Sequence, residues 1–132
     1  MVADTENNNL QKCRYHFDQS TGILFKVYFG DITLKDIVET WDQGIENNLI
    51  PADNKGFIVD YRKARILIGD DDRPGIAEYF KDHLDVFGGK KIAVVTEDYR
   101  DIIQPILVME LDEGYSSRPF STIEAATGWI LD

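Results

Sequence analysis

A single α/β domain around a mixed sheet, in the order β-β-α-β-α-β-α-β-α, is the expectation for this chain, for three reasons. Two strictly alternating stretches, Lys12 to Asp18 and Ile23 to Phe29, flank the turn cluster Gln19-Ser20-Thr21-Gly22 and read as a β-hairpin. The short apolar runs Phe57-Ile58-Val59 and Ile92-Ala93-Val94-Val95 then alternate with segments of helical periodicity. Strands and helices in alternation imply right-handed crossovers and a mostly parallel sheet, with the hairpin adding an antiparallel edge. The third reason is size: 132 residues, 43% hydrophobic and 29% charged, suit one globular domain with its own core.

Each element has a local cause. In the first strand Cys13, Tyr15 and Phe17 point one way and Lys12, Arg14, His16 and Asp18 the other; in the second, Ile23, Phe25, Val27 and Phe29 share a face. Thr33 with Asp36 three residues on forms a capping box, and Leu34, Ile37, Val38, Trp41 and Ile45 recur at helical spacing to about Asn47-Asn48. Gly56 to Tyr61 lacks alternation, as a central strand covered on both sides does, and Tyr61 to Asp72 reads as a long connection. Asp71 or Asp72 with Pro74 starts the next helix, whose stripe is Ile76, Phe80, Leu84 and Phe87, and Gly88-Gly89 stops it. Asp98 caps a helix to about Glu113, with Pro105 expected to kink it or delay its start. Ser117 to Phe120 holds Pro119 and belongs at a sheet edge. Ser121-Thr122-Ile123-Glu124 caps a last helix carrying Ile123, Ala126, Trp129 and Ile130. Residues 1–10 are expected to fray, and 11–132 to form the domain.

Charge and cysteine usage narrow the function. The net charge of −10 argues against nucleic acid and anionic membrane surfaces, whose binding draws on basic groups. The one cysteine, Cys13, forms no internal disulfide and fits a reducing cytoplasm. The polar stretch Met1 to Asn9 has no apolar core of a signal peptide, and no run is long enough to span a membrane.

No catalytic, cofactor or metal pattern stands out. Gly88-Gly89-Lys90-Lys91 precedes a strand and lacks the following Ser or Thr of a phosphate loop. His16 and His83 have no Ser or Cys partner at motif spacing, and Cys13 alternates inward as a small core residue. Asp60 ends a central strand, the edge at which open α/β sheets bind ligands, and Tyr61, Arg62, Lys63 and Arg65 follow as a basic patch on an acidic protein. Thr96-Glu97-Asp98 ends the next strand; Asp98 reads as a helix cap more readily than as a partner of Asp60 in an acidic pair or metal site. In the helix after Asp98, the residues Ile102, Ile103, Ile106, Leu107, Val108, Met109 and Leu111 form a stripe wider than one buried face requires. Core packing, a second copy of the chain and an apolar ligand all stay open for it.

The stretches Gly30-Asp31-Ile32-Thr33-Leu34-Lys35-Asp36, Phe57-Ile58-Val59-Asp60-Tyr61-Arg62, Lys91-Ile92-Ala93-Val94-Val95 and Phe120-x3-Glu124-Ala125-x3-Trp129, in this order, resemble the bacterial SpoIIAA-like proteins, small relatives of the STAS domains. The resemblance spans about Tyr15 to Leu131 and implies a SpoIIAA-like (STAS-type) mixed sheet. Anti-sigma-factor antagonists of that kind work through a phosphorylatable serine just after a central strand. Here Asp60 to Asp72 holds no Ser or Thr, so a hydroxyl switch at this place is not expected.

The function expected is a non-enzymatic cytoplasmic regulatory or protein-interaction module, a homodimer with a regulatory protein partner, requiring no cofactor. Its recognition surface is Asp60, Tyr61, Arg62, Lys63 and Arg65, and Ile103, Leu107, Val108 and Met109 are its dimer or apolar-ligand face. The alternative, since STAS folds resemble the lipid-binding Sec14 type, is a small lipophilic or amphipathic ligand. An enzyme using Asp60 and Asp98 is the third possibility.

Overall fold

Cross-strand register decides which side chains of the hairpin reach the core. In a computed structural model, which describes residues 12–132, β1 (Cys13–Asp18) and β2 (Ile23–Ile32) are antiparallel, with Cys13 opposite Tyr28, Tyr15 opposite Lys26 and Phe17 opposite Leu24. Directly opposite residues share a face, so the inner face of β2 is Leu24, Lys26 and Tyr28, all fully buried. The alternating set Phe25, Val27 and Phe29 lies on the outer face and is only half-buried. The fraying expected of residues 1–10 falls outside the described residues.

α1 (Leu34–Glu46) begins with the expected capping box: Thr33 Oγ1 accepts from the Asp36 N–H, and Asp36 Oδ2 accepts from the Thr33 N–H at 2.9 Å. It buries Ile37 and Trp41 against the inner face. β3 (Gly56–Ile66) lies parallel to β2 and runs five residues past Tyr61, where the sequence suggested a connection. A bulge explains this. Val27 pairs with Asp60 but Phe29 pairs with Lys63, so three residues of β3 span two of β2, after which pairing resumes to Ile32 and Ile66.

After a 3-10 turn at Asp70–Asp72 come α2 (Arg73–Asp82), with Pro74 in its first turn, and α3 (Leu84–Phe87). The break at His83 shifts the helical phase, so of the expected stripe Ile76, Phe80 and Phe87 are buried while Leu84 is 43% exposed. β4 (Lys91–Val95), α4 (Tyr99–Met109), β5 (Ser116–Phe120) and α5 (Ile123–Leu131) complete the chain. α4 continues through Pro105 and ends before Glu113.

The sheet order is β1-β2-β3-β4-β5, antiparallel between the first two strands and parallel thereafter. β5, which carries Pro119, is an edge, where a missing N–H is tolerated. The inner core contains residues of α1 to α4 and centres on Trp41, whose ring meets Phe57, Phe80 and Phe87 edge-on at 5.7, 6.1 and 4.9 Å. A second cluster on the outer face joins Ile23, Ile58, Ala93 and Val95 to Ala126 and Ile130 of α5.

Candidate functional site

The bulged second half of β3, the carboxyl end of β4 and the start of α4 meet at one edge of the sheet. Asp60, 5% exposed, is held there by its own strand. The bulge folds Arg62 back so that its Nε donates to Asp60 Oδ1 and its Nη2 to Oδ2, both at 3.0 Å, while the Arg62 backbone N–H donates to Oδ1 at 3.0 Å. A buried carboxylate thus has a bidentate guanidinium and a backbone donor. These hydrogen bonds hold the Arg62 guanidinium above its ordinary pKa.

Asp98 caps α4, accepting from the Arg100 N–H at 2.9 Å and from Arg100 Nε and Nη2. The hydrogen bonds from Arg100 pull its pKa down to about 2. Burial, followed by the charge of Asp98, pushes the carboxyl of Asp101 upward. Between these groups lies a cleft of about 470 Å³ whose charged walls are Arg62, Arg65 and Arg100 on one side of the balance and Glu97, Asp98 and Asp101 on the other. Its volume falls within the roughly 300–1,000 Å³ usual for binding sites. Arg62 and Arg100 are each tied to a carboxylate, whereas Arg65 makes no ion pair or side-chain hydrogen bond among the described residues. Its charge is nonetheless felt by the carboxylates of Asp98 and Asp101, acting on the pKa of both in the downward direction.

Of the residues the sequence pointed to, Tyr61, Arg62 and Arg65 line the cleft and Asp60 backs it. Lys63 does not join them. The bulge places it opposite Phe29 on the outer face, its Nζ 5.9 Å from that ring, which Arg14 approaches at 5.3 Å from β1. The sequence did not single out Arg100. The signal was nonetheless present: a strand end and a helix start at the edge already suspected of binding.

Asp60 and Asp98 are each taken up by a separate arginine rather than paired with one another. Among the described residues no three His, Cys, Asp or Glu side chains gather as a metal-ligand group. Cys13 is buried, and burial pushes its thiol up to about 11. His83 shares a hydrogen bond with the Tyr79 carbonyl and stacks on the Tyr79 ring at 4.1 Å; His16 is exposed near Phe25.

Ile103, Leu107, Val108 and Met109 do not share a face. Ile103 is 51% exposed, Leu107 and Met109 are half-buried, and Val108 turns inward. Neighbouring helix positions differ by about 100°, so 107, 108 and 109 must diverge. Val108 and Pro105 help wall a partly open cavity of about 50 Å³ between the sheet and α1, α2 and α4, lined also by Trp41, Val59, Tyr61 and Phe80. Arg62 and Lys63 are not at its mouth. No helix among the described residues is long and apolar enough to cross a membrane.

No protein-family model matches the sequence, and no curated protein matches it. A solved structure does: an uncharacterized protein of the DUF3478 family with a SpoIIAA-like fold, from Shewanella loihica PV-4. It is 15% identical, the alignment covers 89% of this chain and 91% of that one, and the TM-score is 0.59. At that identity the likeness concerns the backbone arrangement, and together with the mixed five-stranded sheet it establishes that this chain has a SpoIIAA-like fold.

Proposed function

We propose that the chain is a non-enzymatic recognition module that docks a charged segment of a partner protein, a carboxylate of it against Arg65, in the cleft between the second half of β3 and the end of β4. The supporting observation is Arg65, which has no ion pair or side-chain hydrogen bond among the described residues, in a cleft whose other arginines, Arg62 and Arg100, are neutralised from within. Those internal pairs set the shape of the cleft and leave Arg65 beside the carboxylates of Glu97 and Asp101, so a partner segment meets both signs of charge, which suits reversible, charge-guided recognition. No Ser or Thr lies between Asp60 and Asp72, so recognition at this edge does not depend on phosphorylation of that stretch. A lipid-like ligand is less well supported, because the apolar cavity of about 50 Å³ is several-fold smaller than ordinary ligand pockets. In the same reading the chain pairs with a second copy through the outer face of α4, where Ile103 and Ile106 stand exposed.

The test is capture of a partner from native lysate on the immobilised chain, with Arg65→Ala and Lys63→Ala side by side. A partner retained by the wild type and by Lys63→Ala but lost with Arg65→Ala is the expected result. Equal retention by Arg65→Ala overturns the cleft as the docking surface.

A further inference from the structure

The least expected side chain in the molecule is Lys26. It sits mid-strand in β2, is 0% exposed, and its Nζ has no hydrogen-bond partner among the described residues. Three rings surround that nitrogen: Trp41 at 3.9 Å, Tyr28 at 4.6 Å and Tyr15 at 5.7 Å from their centroids. Ring faces attract a cation but offer no acceptor for the three N–H donors of an ammonium. The titratable groups around the cage are neutral or engaged elsewhere. β1 contributes Cys13 and Tyr15, and β2 contributes Tyr28, whose ring stacks on Tyr61 of β3 at 4.8 Å. In α1, Asp42 is the nearest source of negative charge, but it accepts the hydroxyl of Tyr79 from α2 at 2.6 Å and forms no ion pair with Lys26. Burial accordingly drives the amine well below its ordinary pKa, with Cys13 and Asp42 opposing only in part.

The way out of this cage leads past β1. β1 is an edge strand paired with β2 alone, and Tyr15, which shields Nζ on that side, is tied to α1 by its hydroxyl donating to the Thr40 carbonyl at 2.6 Å. Hydrating Nζ by any other route means opening the sheet interior or the packing around Trp41.

We propose that Lys26 makes β1 a proton-sensitive latch: the closed strand holds a neutral amine, and proton uptake by that amine favours a state in which β1 has lifted and the cage is wet. The sign follows from linkage. The opened lysine regains its ordinary affinity for a proton, so opening takes one up, and the opening equilibrium rises about tenfold for each pH unit of fall until the closed form itself protonates. Opening exposes the edge of β2 together with Tyr15 and Trp41, which gives the sheet an acceptor edge for another strand.

Amide hydrogen exchange of the intact chain between pH 9 and 6, corrected for the intrinsic rates, tests this against Lys26→Met. The expected result is protection in β1 that falls by about tenfold per pH unit over part of the range in the wild type and stays level in the variant. The resonance of the Lys26 side-chain Cε carbon reports the charge directly and needs no substitution. A neutral-amine shift in the folded protein at pH 8 is expected. An ammonium shift at pH 8, or β1 protection with the same pH course in both proteins, overturns the latch.

Discussion

Lys26 and Asp60 are buried ionisable side chains on adjacent strands, one register position apart, and the fold treats them in opposite ways. Asp60 lies where β3 bulges, so a spare backbone N–H and the Arg62 guanidinium turn back onto it. Lys26 lies mid-strand on the inner face, where the ladder uses the backbone groups and the surroundings are rings. A bulge can assemble a partner for a charge, whereas a regular stretch of strand under helices supplies apolar surface. The first arrangement suits an outward-facing recognition edge; the second creates a tension that only neutralisation or opening relieves.

The largest expected effect tests the ring cage. Trp41→Ala removes the indole that both centres the inner core and faces Lys26, and should cost about 3–5 kcal/mol in urea unfolding. A loss of under about 1 kcal/mol would mean that this core carries little of the fold. Gly44→Ala comes next. A Cβ there would stand 2.5 Å from the Tyr15 hydroxyl that ties β1 to α1. The displaced tyrosine should cost about 1–3 kcal/mol, and the loss of exchange protection should concentrate in β1. Uniform loss over all five strands would show that β1 does not open separately.

Asp60→Ala leaves the Arg62 N–H without its acceptor, and about 1–2 kcal/mol of stability should go with it. Asp60→Asn, which keeps an acceptor oxygen, should recover part of this in the same unfolding measurement; no recovery would assign the effect to the guanidinium pair alone. Lys26→Met should have the opposite sign at neutral pH, since it removes the demand for a partner that the core does not meet. The smallest effect on stability belongs to Arg65→Ala, within about 0.5 kcal/mol, because Arg65 is exposed and has no side-chain partner among the described residues.

Much of the architecture was legible in local patterns. The Thr33 and Asp36 capping box, Pro74 in a first turn, Asp98 as a helix cap and Pro119 on an edge strand each act within a few residues, so sequence spacing exposes them. The second half of β3 was not read as a strand because Arg62, Lys63 and Arg65 obscured the alternation of Ala64 and Ile66. The candidate site was legible in part. Asp60 and its basic neighbours were read as a strand end, whereas β3 continues to Ile66, and the bulge that sends Lys63 to the outer face and brings Arg62 back to Asp60 depends on pairing with β2.

By itself the sequence determined the succession of strands and helices, the helix caps, and an acidic chain with one buried thiol, because these follow from residue spacing and composition. Tertiary structure alone decided which face of β2 joined the inner core. Alternation divides Ile23, Phe25, Val27 and Phe29 from Leu24, Lys26 and Tyr28, and on hydropathy the first set would be buried. Four helices cover the inner face, while on the other α5 reaches only the Ile23 and Phe25 end of β2 and the strands beyond it, so Ile23 is buried and Val27 and Phe29 are not. Burial follows the covering helices, and a lysine was carried into the core with its strand.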